Sequence, residues 1–185
     1  MASDFSIRHA AHLIKRGGII AYPTDTIYGL GCDPYNPDAV ALINTIKHRP
    51  SNKPFILLAA NIDQIKSLVL LNKKQEDTIT ENTQPTSWII SASKHAPSWL
   101  IDENNTVTIR ISQNHTIENL CSALGHAIIS TSANISGKKP ARNTIDLHRY
   151  FHHSVDKILA SDQKLMNSPS TIIRLCDNHV IRRKQ

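Results

Sequence analysis

The chain reads as an α/β protein: a single domain built on a twisted, open, mixed sheet flanked by helices. Three observations predict this. Stretches of helical period and stretches of strand period alternate from one end to the other. Some strands are separated by connections long enough for a crossover, while the C-terminal end reads as a hairpin, so parallel and antiparallel pairings are both expected. With 185 residues, one substantial core can be buried, and no repeat, linker or low-complexity segment divides the chain.

Taken in order, Ser3 can cap a first helix with Ile7, Ala10, Ala11 and Ile14 on one face, ended by Gly17-Gly18. Ile19-Ile20-Ala21-Tyr22 is a short strand stopped by Pro23. Gly29 and Gly31 follow at two-residue spacing, which marks close approach of a ligand or another backbone, or else a bulge. Asn36-Pro37 is an N-cap with proline at the first helical position, and the helix runs through Val40, Leu42, Ile43 and Ile46 to deliver Lys47 at its end. Phe55–Ala59 is apolar throughout, as in a fully buried strand. Asn61 and Gln64 resemble a capping box for a helix reaching Val69, residues 73–83 form a polar surface helix, and Trp88-Ile89-Ile90 is a strand. Thr106–Ile111 alternates, placing Val107, Ile109 and Ile111 on one face and Thr106, Thr108 and Arg110 on the other. That polar face is either solvated or the floor of a polar cleft; taken alone it favours the solvated reading. A helix from Thr116 to Leu124 closes at Gly125 and leads to the strand Ala127-Ile128-Ile129. A helix from Asn143 to about His152, a short strand near Ile158 and a hairpin turning at Asp177-Asn178 complete the chain.

The formal charge of +6 and a pI near 9.3 point to an anionic partner, a nucleotide or a nucleic acid. The three cysteines (Cys32, Cys121, Cys176) are far apart with no CxxC pair, so buried thiols in a reducing compartment are expected. The ten histidines include His152-His153, but no HExxH or Cys/His metal spacing occurs. No apolar leader opens the sequence and no long uncharged apolar run follows, so a cytoplasmic location away from membrane is expected.

Two stretches carry chemistry. Lys47-His48-Arg49-Pro50-Ser51-Asn52-Lys53-Pro54 places three cations on a loop stiffened twice by proline, between a helix and a buried strand. Cations held in that way suit a polyphosphate, although a solvated basic loop has the same composition. Ser130-Thr131-Ser132-Ala133-Asn134-Ile135-Ser136-Gly137 follows directly from a strand end, where α/β sheets gather their ligands. Small hydroxyls and backbone N–H groups suit phosphate and carboxylate oxygens, and the Asn suits a ribose or base edge.

These two stretches, together with Tyr22-Pro23-Thr24-Asp25-Thr26-Ile27-Tyr28-Gly29-Leu30-Gly31, Val107-Thr108-Ile109-Arg110 and Ser168-Pro169-Ser170-Thr171-Ile172-Ile173, resemble the YrdC-like family, and within it the short bacterial members. The five motifs occur in order from about Ile19 to Arg183. The resemblance implies a large positively charged groove and an enzyme that joins L-threonine, bicarbonate and ATP into threonylcarbamoyl-AMP and pyrophosphate, a nucleotidyl transfer. A partner transferase complex would then modify the adenosine beside the anticodon of ANN-decoding tRNAs. By motif position, Lys47, Arg49 and Lys53 would contact the ATP phosphates, with Lys47 and Arg49 carrying catalysis. Thr106, Asn134, Arg142 and Arg183 would complete the nucleotide site, and Thr26, Arg110, Ser132 and Ser170 would hold threonine. Mg²⁺ would arrive with the ATP. Three features depart from the family pattern. Thr83-Gln84-Pro85-Thr86-Ser87-Trp88 replaces a Pro-Gly-Pro-hydrophobic-Thr stretch, Leu58 falls near a histidine position of longer relatives, and the additional C-terminal domain of those relatives has no counterpart here.

Two other readings compete. A non-catalytic factor binding tRNA or ribosomal RNA fits the charge equally well, but the hydroxyl-rich loop suits a small-ligand pocket and stacking aromatics are few. Weak, non-specific RNA affinity is compatible with either. A carbamoyl-adenylate module of the kind found in hydrogenase maturation proteins would come with cysteine-rich zinc segments, which this chain lacks.

Overall fold

In the computed structural model, which describes residues 3–50, 53–160, 165 and 169–183, nine strands form one mixed sheet in the order β7-β1-β2-β6-β3-β5-β4-β8-β9. The strands are β1 (Ile20–Pro23), β2 (Tyr28–Gly31), β3 (Ile56–Ala59), β4 (Thr86–Ser91), β5 (Thr106–Ile111), β6 (Ile128–Ser132), β7 (Lys157–Ile158), β8 (Thr171–Arg174) and β9 (His179–Arg182). Pairs β1/β7, β3/β5 and β4/β8 are parallel and the others antiparallel. The helices are α1 (Asp4–Lys15), α2 (Pro37–Lys47), α3 (Lys73–Glu81), α4 (His115–Leu124) and α5 (Thr144–Phe151). Ser51, Asn52 and Ser168 lie outside the described residues.

Period-two alternation sends neighbouring strand residues to opposite faces, and each face has its own cover. Ile20, Tyr22, Leu58 and Ile128 pack against Ile7, Ala10, Ala11 and Ile14 of α1 and Ile117, Leu120 and Leu124 of α4. On the other face Leu57, Ile109 and Ile129 meet Val40 and Ile43 of α2, while Leu147 and Phe151 of α5 close over Ala21 and Leu30. α1 is capped by Ser3, whose hydroxyl accepts from the Ser6 N–H, and α2 by Asn36, which accepts from Asp38 and Ala39. α3 has a full capping box between Asn72 and Gln75. No helix among the described residues is long and apolar enough to cross a membrane.

Three expectations are corrected. The helix from Asn61 to Val69 is only a 3₁₀ turn at Ile62–Gln64, followed by further turns. Ile65 N–H donates to Ile62 and Leu68 N–H to Ile65, and the buried Ile65 and Leu68 repeat every three residues, the period of a 3₁₀ helix rather than an α-helix. The Gln64 carboxamide accepts from Ala60 N–H and donates to the Cys121 carbonyl instead of closing the box on Asn61. Cys176 is exposed in the β8–β9 turn, whereas Cys32 and Cys121 are buried as expected, with thiols that burial pushes up to about 12. The Thr108–Arg110 face of β5 is buried, not solvated.

Candidate active site

α1 and α4 cover only part of their face of the sheet. Beyond them β5, β4 and β8, with part of β3, form the floor of a cavity of about 480 Å³, with Ile56, Thr108, Arg110 and Ile172 among its lining. Its walls come from the loops after β1, α2 and β6 and from the segment entering β8.

The wall after α2 begins at His48, which takes the left-handed conformation (φ 49°) and closes the helix. His48 N–H donates to Thr45 and Arg49 N–H to Asn44, the paired bonds of a Schellman turn. The chain reverses there and lays the Arg49 guanidinium 4.4 Å above the centre of the Phe55 ring. Its two terminal nitrogens donate to the Lys53 and Pro54 carbonyls, the latter at 2.8 Å. Lys47 is 3% exposed, and its ammonium donates to the carbonyls of Ser132 and Asn134, the latter at 2.6 Å. Ser136 N–H in turn donates to the Lys47 carbonyl at 2.8 Å. The basic loop and the hydroxyl-rich loop are therefore tied together through one residue. Burial, with smaller contributions from Arg49 and Lys53, lowers Lys47 from 10.5 to about 7, and burial lowers Arg49 to about 10.

The opposite end is built on Arg110. It is buried, its Nη2 donates to Asp25 Oδ1 at 2.7 Å, its Nη1 reaches the Thr26 hydroxyl at 3.4 Å, and its Nε is buried without a partner. Thr24 orders the turn beneath: its hydroxyl accepts from the Thr26 and Ile27 N–H groups and donates to the Ile27 carbonyl. The Thr24 and Thr26 hydroxyls lie 3.0 Å apart, and the Thr26 oxygen also accepts from Arg110. Ser170 is buried; its hydroxyl meets Ser87 at 2.9 Å and its carbonyl accepts from Arg182. In the hydroxyl-rich loop held by Lys47, the Ser132 hydroxyl donates to Asn134 Oδ1, and the Asn134 amide donates to the Ile135 and Lys138 carbonyls.

Eight of the residues singled out in the sequence line this one cavity: Lys47, Arg49, Lys53, Asn134, Thr26, Arg110, Ser132 and Ser170. Three do not. Thr106 shares a face with Thr108 but sits at the start of β5, where its N–H and hydroxyl bind the Asp102 carboxylate, each at 2.8 Å. Arg142 is exposed beyond the cavity wall, its N–H donating to Asp146. Arg183 is exposed just past the end of β9, and it is its neighbour Arg182 that lines the cavity. Thr108, Ser130 and Arg182 line the cavity without having been singled out, and Asp25 and Ser87 stand behind it. Asp25 had a legible signal: a buried arginine needs a carboxylate, and one lies inside the Pro23–Thr26 motif. The Thr83–Trp88 segment, which departs from the family pattern, supplies Ser87 to Ser170.

The close approach at the two glycines is packing around Tyr22. A Cβ on Gly31 would sit 2.4 Å from the Ile129 carbonyl and 2.7 Å from the Tyr22 ring, and one on Gly29 3.1 Å from the Ser130 hydroxyl. Among the described residues no group of three or more His, Cys, Asp or Glu is placed to hold a metal ion.

The family described as "Telomere recombination" (Sua5_yciO_yrdC) matches residues 12–184. A curated relative from Halorhodospira halophila, named threonylcarbamoyl-AMP synthase, is 38% identical over 170 residues, covering 91% of this chain and 89% of the relative. The crystal structure of P. abyssi Sua5 complexed with L-threonine superposes with a TM-score of 0.91 at 26% identity, covering 98% of this chain and 55% of that one. This chain therefore spans a little over half the length of that longer protein. E. coli YciO superposes with a TM-score of 0.87 at 25% identity, covering 98% and 90% of the two chains. With the family match spanning residues 12–184 and a relative 38% identical over most of both chains, the chain belongs to the Sua5/YciO/YrdC family.

Proposed function

We propose that this protein is a threonylcarbamoyl-AMP synthase, a nucleotidyltransferase that converts L-threonine, bicarbonate and ATP into threonylcarbamoyl-AMP and pyrophosphate. The observation that carries the reading is the division of one cavity into two ends of different chemistry. Lys47, Arg49 and Lys53 are held by backbone carbonyls or left exposed, so their positive charges are not cancelled locally and suit a triphosphate. Arg110, Thr26 and Ser170 offer a guanidinium and two hydroxyls, the partners that a carboxylate and a side-chain hydroxyl require. Ser132 and Asn134 line the same cavity, with their carbonyls on the Lys47 ammonium. The names of the bacterial relatives and the threonine complex of the P. abyssi protein support the same assignment.

In this reading the threonine amine attacks the carbon of bicarbonate, water leaves, and a carbamate forms. A carbamate oxygen then attacks the α-phosphorus of ATP, the bond to the β-phosphate oxygen breaks, and pyrophosphate departs. The protein need form no covalent bond; holding the reactants in line and neutralising phosphate charge supplies the acceleration. The donor set is cations and hydroxyls with its nearby carboxylate already paired, so Mg²⁺ would be carried by the phosphate oxygens as part of the nucleotide substrate. The product would pass, in the cytoplasm, to a transferase complex acting on ANN-decoding tRNAs.

The test is pyrophosphate release from ATP, with the adenylate identified by mass. Release should require threonine and bicarbonate together. Valine, which lacks the hydroxyl, should be rejected strongly and serine less so, because a site built to bind a hydroxyl leaves its own groups unpaired around the analogue. Release independent of threonine, or equal with valine, contradicts the assignment.

A further inference from the structure

Two anions of different kind must share one cationic cavity. A guanidinium binds phosphate as readily as carboxylate, so Arg110 alone would not tell the amino acid from a phosphate of the nucleotide. The two ends differ in how their cations are neutralised. At the phosphate end, Lys47 and Arg49 donate to neutral carbonyls, so no carboxylate offsets them. At the other end, Arg110 donates to a carboxylate: Asp25 Oδ1 lies 2.7 Å from Nη2, with the two side chains 20% and 5% exposed. None of the described residues lining the cavity is itself an aspartate or glutamate. Arg182, which lines the same end with its guanidinium on the Ser170 carbonyl, adds a second positive charge there. A single carboxylate in such surroundings is poorly screened by solvent and changes the local potential substantially.

We propose that Asp25 is a specificity-determining residue: by pairing with Arg110 it reserves the amino-acid end of the cavity for a monocarboxylate and keeps phosphate groups out. The inference rests on the assignment of Arg110 to the substrate carboxylate made above. Asp25 offsets one of the two arginine charges at this end, so its pull on a polyanion is weaker than that of the phosphate end, where no carboxylate offsets the cations. Arg110 still lines the cavity, and its loosely engaged Nη1 remains a donor for one carboxylate. Occupying Nη2 also fixes which edge of the guanidinium faces the ligand. Asp25 does not line the cavity, so it acts through Arg110 as a positioning residue.

The experiment compares wild type, Asp25→Asn and Asp25→Glu, using inorganic phosphate as the probe. In the wild type, phosphate should inhibit competitively against ATP and not against threonine. In Asp25→Asn, phosphate should become competitive against threonine and the threonine KM should rise roughly 5- to 30-fold, while the ATP KM stays within about twofold. Asp25→Glu should restore much of the wild-type pattern. Calorimetric titration with phosphate, which needs no turnover, should reveal a second site in Asp25→Asn that the wild type lacks. A merely structural role would lower stability or kcat without altering the inhibition pattern. An Asn variant with no second phosphate site, or with phosphate still competing only against ATP, overturns the proposal. Failure of the wild type to use threonine would instead overturn the assignment of the reaction.

Discussion

Lys47 joins two loops with one side chain, and that position has a measurable consequence. Its ammonium spends two of three donors on Ser132 and Asn134, leaving one for a ligand. Because burial lowers its pKa to about 7 from 10.5, the folded protein binds fewer protons than the unfolded chain between those values. Stability from this group therefore rises with pH across that window, and the cost of the buried charge is fully present below about pH 7. The melting temperature of the wild type should climb relative to Lys47→Met as the pH is raised from 7 to 10; a constant difference would show that the two carbonyls hold the charged form throughout. Residue identity made the cation cluster readable in the sequence, because three cations punctuated by proline stand out. It did not reveal that Arg49 turns back onto the Lys53 and Pro54 carbonyls, since a left-handed His48 at the helix end is not written in composition. Nor did it separate Arg182 from Arg183, since only the fold brings Arg182, the last residue of β9, onto the Ser170 carbonyl.

At the scale of elements, local signals were the legible ones. Ser3, Asn36 and Asn143 each cap the helix that follows them, and the buried face of α1 comprises the four residues that its period marks. Alternation along β5 separated Val107 and Ile109 from Thr108 and Arg110, but it could not say what covers each face. That depends on α1 and α4 stopping short of β5 and β4, a long-range fact. Strand order was similarly out of reach, since β6 inserts between β2 and β3 although it follows both in the chain. The tight place it creates gives a prediction. Gly31→Ala would press a methyl group against the Ile129 carbonyl of the loop-bearing strand β6 and the Tyr22 ring. It should destabilise the protein by about 1–3 kcal/mol, measured by denaturant unfolding. Gly29→Ala, with contacts no closer than 3.1 Å, should cost less. Equal losses at the two sites would mean that the sheet adjusts there more freely than its register implies.

For the molecule as a whole, net charge predicted an anionic partner without choosing one, and the cavity supports the small-molecule choice. The basic surface still has an expected effect. Lys138, Lys139, Arg142 and Arg183 are exposed, so tRNA should bind weakly and lose affinity steeply across a salt series. A flat salt dependence, or discrimination among tRNA sequences by this chain alone, would favour the RNA-factor reading. The central claim is that one cavity has a phosphate end and an amino-acid end, and the separation of Michaelis constants tests it most directly. Steady-state kinetics of Arg49→Ala and Ser170→Ala should be measured with each substrate varied in turn. Losing the charge-assisted bonds of Arg49 to a phosphate, worth roughly 1.5–3 kcal/mol, should lower kcat/KM for ATP by roughly 10- to 150-fold and leave the threonine KM within about twofold. Ser170→Ala should do the reverse, raising the threonine KM and sparing that for ATP. Two variants that shift both constants alike would contradict the division of the cavity.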